Sequence, residues 1–278
     1  MSYRAIARFA MVVFALALGL VYNALAVEVV LWEDDFEGAT LGPNVDEGLA
    51  NDNAWTNEYG DWTITTIVPS DIGVREWQSW AIADATWWTA TAGNQERAQF
   101  TDAAQGGLAR GNVAIVDPDE WDDKEPPDPE AVQDYDTSLT SPAIDIRGVV
   151  ADSITIQFDS SWRPEDLQAA EVSVSFDGGP SELLLTMTSV GTTTDFSVVY
   201  KGSQEIFDDL VNVNETIVLD GIPNPDGAET MNITWRMPVA DNDWWWAIDN
   251  IVVTGDLNPT AVEAQGKLAT VWGTLKRQ

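Results

Sequence analysis

The 278-residue chain carries 13 basic and 46 acidic residues, a net charge of −33, and contains neither histidine nor cysteine. Such a charge repels nucleic acid and anionic lipid and attracts cations. Ser-His and Cys-His triads, disulfides and the usual ligand sets of zinc, copper and iron are all excluded.

Arg4 and Arg8 precede an apolar run from Phe9 to Val21, and Ala24-Leu25-Ala26 places small residues at both cleavage-determining positions. These features predict a signal peptide over residues 1–26 and a secreted or cell-surface protein. The apolar run is shorter than the roughly 20 residues a bilayer needs, so no membrane insertion is expected. Losing two arginines and no acids takes the net charge from −33 to −35 (−33 − 2). A cysteine-free extracellular chain fits a bacterial protein better than an animal one.

Beyond Val27, runs rich in Val, Ile, Thr, Trp and Phe recur between Gly, Pro, Asn and Asp, the pattern of short strands. They fall near Glu28–Phe36, Trp62–Val68, Asn112–Val116, Ser153–Phe158, Glu171–Phe176, Asp195–Tyr200, Glu215–Leu219, Met231–Met237 and Trp244–Thr254. In Ser153-Ile154-Thr155-Ile156-Gln157-Phe158 and Val172-Ser173-Val174-Ser175-Phe176 the apolar side chains share one face, the period of half-buried strands. Asp177-Gly178-Gly179 reads as a hairpin turn between two strands. The expected fold is an all-β antiparallel sandwich of jelly-roll type with long acidic loops, spanning 27–255. Residues 256–278 read as a tail outside it, either a frayed end or a sorting or attachment signal.

The segment Asp117 to Asp136 is dense in carboxylates and prolines and is expected to be a solvated or ion-bound loop. Asp117, Asp119 and Asp122 suit a loop that wraps a hard cation such as calcium. Glu120-Trp121-Asp122-Asp123-Lys124-Glu125 also matches the E-x-D-x-x-E spacing of jelly-roll β-glucanases. Charged intervening residues and Pro126-Pro127 argue against a catalytic strand there.

Tryptophan is abundant, with 14 in the chain. On a strand, Trp244 and Trp246 would share a face while Trp245 points the other way. Most of these indoles are expected in the core. An exposed platform that stacks on sugar rings is the functional alternative, with Trp244, Trp246, Trp162 and Arg163 as candidate ligand-binding residues.

Two motifs at the ends of the domain complete the picture: Trp32-Glu33-Asp34-Asp35-Phe36-Glu37-Gly38 and Trp246-Ala247-Ile248-Asp249-Asn250-Ile251-Val252-Val253. Together they resemble the extracellular jelly-roll modules that include MAM domains and several carbohydrate-binding modules, though the cysteines of animal MAM domains are missing. The resemblance implies that the first and last strands pair and hold a structural calcium. Its candidate ligands are Asp35, Glu37, Asp249 and Asn250. Without a cation, the same carboxylates would serve to blunt edge strands. The strings Ala92–Gln95, Val116–Asp123, Phe158–Glu165 and Ala240–Trp246 are similar to a module of secreted proteins from planctomycete-like and other environmental bacteria.

The expected function is a secreted, calcium-stabilised recognition or adhesion module whose partner is an extracellular glycan or cell-surface component. The alternatives are a carboxylate-based polysaccharide hydrolase or lyase, and a purely structural surface or matrix protein. Two carboxylates facing each other across a groove would favour the enzyme.

Overall fold

The computed structural model describes residues 26–42, 54–67, 73–90, 97, 100, 107–122, 135–163, 168–189, 195–200, 203–208, 213–240 and 244–257. The signal segment, apart from Ala26, and the tail beyond Leu257 therefore lie outside the described residues. In chain order the strands are β1 (Val27–Asp34), β2 (Trp55–Thr56), β3 (Thr63–Ile67), β4 (Ala81–Asp84), β5 (Asn112–Val116), β6 (Tyr135–Thr140), β7 (Ile144–Asp145) and β8 (Ile154–Trp162). They continue as β9 (Ala169–Phe176), β10 (Ser181–Ser189), β11 (Asp195–Tyr200), β12 (Ser203–Asp208), β13 (Val213–Ile222), β14 (Thr230–Ala240) and β15 (Trp246–Leu257). Short helices occupy Ala85–Ala90 and Pro118–Asp122.

The strands form two antiparallel sheets packed as a sandwich. One runs β13-β8-β15-β5-β4-β2, and the other runs β12-β11-β10-β9-β14-β6-β3, with β7 on β14. The expected hairpin forms between β9 and β10, where Asp177 and Gly178 take φ of 51° and 69°. Two successive positive φ values are what a tight turn matched to strand twist requires.

β15 has two partners along one edge. Trp246–Ile248 pairs with β5, and Ile251–Leu257 pairs with β1 from Asp34 back to Val27. The strands at the two ends of the domain therefore lie side by side. Between the two pairings, Asn250 adopts φ 51° and the ladder to β8 shifts register. Asn tolerates this left-handed conformation better than most residues, and such a bulge re-aims the side chains beside it.

Burial separates one part of the seven-stranded sheet from the rest of the sandwich. In β9 the pattern alternates: Ala170, Val172 and Val174 face the core, while Glu171, Ser173 and Ser175 do not. β5 is buried from Val113 to Val116 and β15 from Trp246 to Asp249, without alternation. Strands covered on both faces read this way. The cover comes from described residues flanking β4 and β5, among them Trp77, Trp88, Phe100 and Trp121, all buried.

This roof corrects the expectation for Asp117–Asp136. The segment's first part is a short helix, with Asp117 and Trp121 wholly buried, and β6 begins at Tyr135. Burial is tolerated because the carboxylates there have partners. Residues 123–134 lie outside the described residues.

Candidate functional site

The junction where β15 changes partner gathers the acidic residues of the two terminal motifs. Asp249 projects to the roofed side of its sheet and is wholly buried. Its Oδ1 accepts the Asn250 amide at 2.7 Å and its Oδ2 accepts the Arg110 amide at 3.0 Å. Glu37 Oε1 accepts the Asn112 amide at 2.9 Å. The two carboxylates thus sit on neighbouring amides of one loop, with Gly111 between. A Cβ at Gly111 would fall 1.7 Å from Glu37 Oε1, and its φ is 65°, so glycine is required on both counts.

Asn250 Nδ2 donates to Asp159 Oδ2 at 2.9 Å, and Asp159 also receives the Thr216 hydroxyl at 2.5 Å. Burial pushes the Asp249 carboxyl up to about 7. The Arg110 and Asn250 amides offset part of this, while the negative charges of Asp159 and Asp35 add to it. Asp35 lines an open depression of about 400 Å³ together with Glu33, Asp34, Asn250, Ile251 and Val252. Asp34 anchors the approach: its carboxylate accepts the Phe36 amide, the Tyr59 hydroxyl and the Trp62 indole N–H. Phe36, fully buried, is held at φ 58°, a left-handed conformation costly for a bulky side chain.

The four candidates from the terminal motifs thus flank one junction, but the oxygens of Asp35, Glu37 and Asp249 do not all come within 4.8 Å of one another. The sequence pointed to neither Asp159 nor the Arg110–Asn112 loop. Both are brought in only by strand register.

The acidic candidates of the loop gather elsewhere. Among the described residues, the one trio of carboxylates with oxygens within 4.8 Å of one another is Asp117, Asp119 and Glu120. Arg97 stands among them, 2.6 Å from Glu120, 3.1 Å from Asp117 and 3.9 Å from Asp119. Trp88 Nε1 donates to Asp117 at 2.8 Å. A guanidinium thus already supplies positive charge to Asp117 and Asp119. The side chain of Asp122 lies outside the described residues.

The candidate sugar platform is corrected. Trp162 and Trp246 are 1% and 0% exposed, packed in the core, where Trp246 Nε1 donates to Ser160. β15 starts only at Trp246, so Trp244 and Trp245 precede the strand. Trp245 turns under the roof, 5.7 Å from Trp88. Trp244 stays partly exposed, with the Arg163 guanidinium 3.8 Å over its ring. That cation-π contact occupies one indole face.

Gln168 ties this end together, accepting from Trp162 Nε1 at 2.7 Å and donating to the Trp244 carbonyl at 2.8 Å. Replacing Gln168 by Leu strands a buried indole N–H and a carbonyl, and is expected to cost about 1–3 kcal/mol. Chemical denaturation against the parent protein measures it.

Asp159 and Asp249 are cross-strand partners. Asp249 is sealed from solvent and both its oxygens are taken by backbone amides. That pair does not front a groove.

No known family profile and no curated protein matches the sequence. Solved structures with weak similarity include the carbohydrate-binding module TmCBM61 in complex with β-1,4-galactotriose (TM-score 0.38, 10% identity, 70% of this chain and 89% of that one). They include the mannan-recognising module TmCBM27 (TM-score 0.31, 12% identity, 83% and 99%) and a cyclase from Fischerella sp. TAU (TM-score 0.38, 9% identity, 82% and 99%). Similarity at this level assigns neither a ligand nor a residue role.

Proposed function

We propose that this chain is a secreted, calcium-braced β-sandwich module that recognises an extracellular glycan. The observation that carries recognition is the difference between the two outer sheet faces. The chain covers the outer face of β4, β5 and the start of β15 itself, whereas the central strands of the eight-stranded sheet present partly exposed polar side chains along their length. Charge restricts the partner: at −33, the protein favours neutral ligands over anionic ones.

The brace rests on the two terminal motifs, whose Asp35, Glu37, Asp249 and Asn250 flank the β1–β15 junction; to share one calcium their carboxylates would have to draw closer than they stand, with Asp249 turning an oxygen from its amide partners. Bound there, the ion would fasten β1 to β15 and to the 110–112 loop. Export is supported by Arg4, Arg8 and the apolar run after them. No helix among the described residues is long and apolar enough to cross a membrane.

The test is retention of the full mature chain on a panel of insoluble neutral polysaccharides, in calcium and in chelator. Retention on at least one polymer in calcium is expected. Failure to bind any of them sinks the glycan reading.

A further inference from the structure

Strand register turns the open face of the eight-stranded sheet into ordered rows. One row crosses five strands as Thr63, Thr140, Thr234, Ser173 and Leu183. The next runs Thr65, Ser138, Arg236, Glu171 and Thr186. Each member is partly or fully exposed, because its strand neighbours Leu139, Val172, Ile233, Trp235 and Leu185 take the core side. Strands lie about 4.8 Å apart and same-face residues about 6.8 Å apart, so a five-strand row spans about 19 Å.

Two properties separate these rows from an ordinary wet sheet face. First, they are nearly free of the chain's excess charge. Their one cation, Arg236, is gripped by Asp136 (2.9 and 2.6 Å) and by Glu171 (3.1 Å), so no positive charge is left over to attract an anion. Second, the hydroxyls stand close enough to act together: Thr140 Oγ1 and Thr234 Oγ1 are 3.0 Å apart. A hydroxyl both donates and accepts, as the hydroxyls of a sugar do. Leu183, 55% exposed, closes the first row with an apolar contact suited to a sugar's C–H face.

We infer that these rows are the glycan site and that the ligand is an uncharged, extended polysaccharide laid across the strands, with Thr140 and Thr234 at the centre of the contact. This rests on the glycan reading above and names its location and ligand class. The rival location is Trp244 with Arg163, at the end of the sandwich.

The test is affinity electrophoresis of the full mature chain in gels containing β-glucan, β-mannan or β-galactan, with polygalacturonate as the anionic polymer. The variants are T140V/T234V, which keeps shape and strand propensity while removing both hydroxyls, and W244A. Expected is retardation of the parent by a neutral polymer and at least a tenfold weaker affinity for T140V/T234V at an unchanged melting temperature. W244A should bind like the parent. Parent-like binding by T140V/T234V, loss of binding in W244A alone, or retardation only by polygalacturonate overturns the assignment while leaving glycan binding intact. A parent retarded by no polymer removes both, and is read from the parent alone.

Discussion

Replacing Arg97 by Met is expected to lower the melting temperature by about 10 °C or more. The guanidinium is wholly buried, with Asp117, Asp119 and Glu120 on one side and the Trp88 and Trp245 rings at 5.9 and 5.0 Å. Burial alone would make the arginine easier to deprotonate. The charges of Asp117 and Glu120 outweigh it, and the net effect is to hold the proton more tightly. Removing the cation strands two to three carboxylates in a low-dielectric layer, a loss of about 3–5 kcal/mol. For a domain of this size each kcal/mol moves the midpoint by roughly 2–4 °C.

The same cluster predicts a pH trend. Burial, and then the Asp117 charge, push the Glu120 carboxyl up to about 8, with Arg97 opposing. A folded-state value above the ordinary carboxylate range means stability present below about pH 4 and lost as pH rises towards 8. The R97M/E120L double variant removes one stranded carboxylate with the cation and should recover part of the loss. A parent-like melting curve for R97M would show that the roof does not depend on this ion pair.

The second large effect concerns Asp249. If calcium bridges β1 and β15, saturating it about a hundredfold above its Kd adds about 2.7 kcal/mol, and chelation removes that increment. Asp249→Ala should melt alike in calcium and in chelator. Asp249→Asn separates the cation from the local fold, because its side-chain carbonyl can still accept the Arg110 amide. In chelator at pH 8, the Asn variant should melt at or above the parent, which must ionise a buried carboxyl whose pKa sits near 7. For that carboxyl the folded value is raised, so its contribution is present below about pH 4 and lost as pH rises through 7. The parent should therefore lose stability over that window relative to the Asn variant in chelator, and regain it with calcium. Identical parent curves in calcium and chelator at every pH would end the case for the brace.

Much of the sandwich was legible along the chain because its strands alternate. Ser153–Phe158 and Val172–Phe176 announce a dry and a wet face, and the Asp177-Gly178 turn follows from φ values that few residue pairs adopt. β2, β4, β6, β7, β10 and β12 were missed, of which β10, β6 and β12 are the longest. Ser-Glu-Leu-Leu-Leu breaks the alternation where the β9 register slips, and Tyr-Asp-Thr-Ser-Leu-Thr is too polar to advertise itself as a central strand. The terminal acidic motifs drew attention to Asp35, Glu37, Asp249 and Asn250, while Asp159 and Gly111 carried no comparable signal. Arg97 is one of few basic residues in an acidic chain, and nothing adjacent to it in sequence marks it as the partner of Asp117.

Residue order by itself determined the two-residue period, the turn glycine, the excess of negative charge and the absence of histidine and cysteine, since each depends only on neighbours or on composition. Tertiary structure decided which indoles are core, because Trp246 points between the sheets while Trp245, which precedes the strand, is buried only by Trp88 and Arg97 above it. It also decided that hydroxyls from Thr63 to Thr234 form one row. Side chains far apart in sequence become neighbours only when strand register sets them opposite one another, and register is a property of the whole sheet rather than of any single strand.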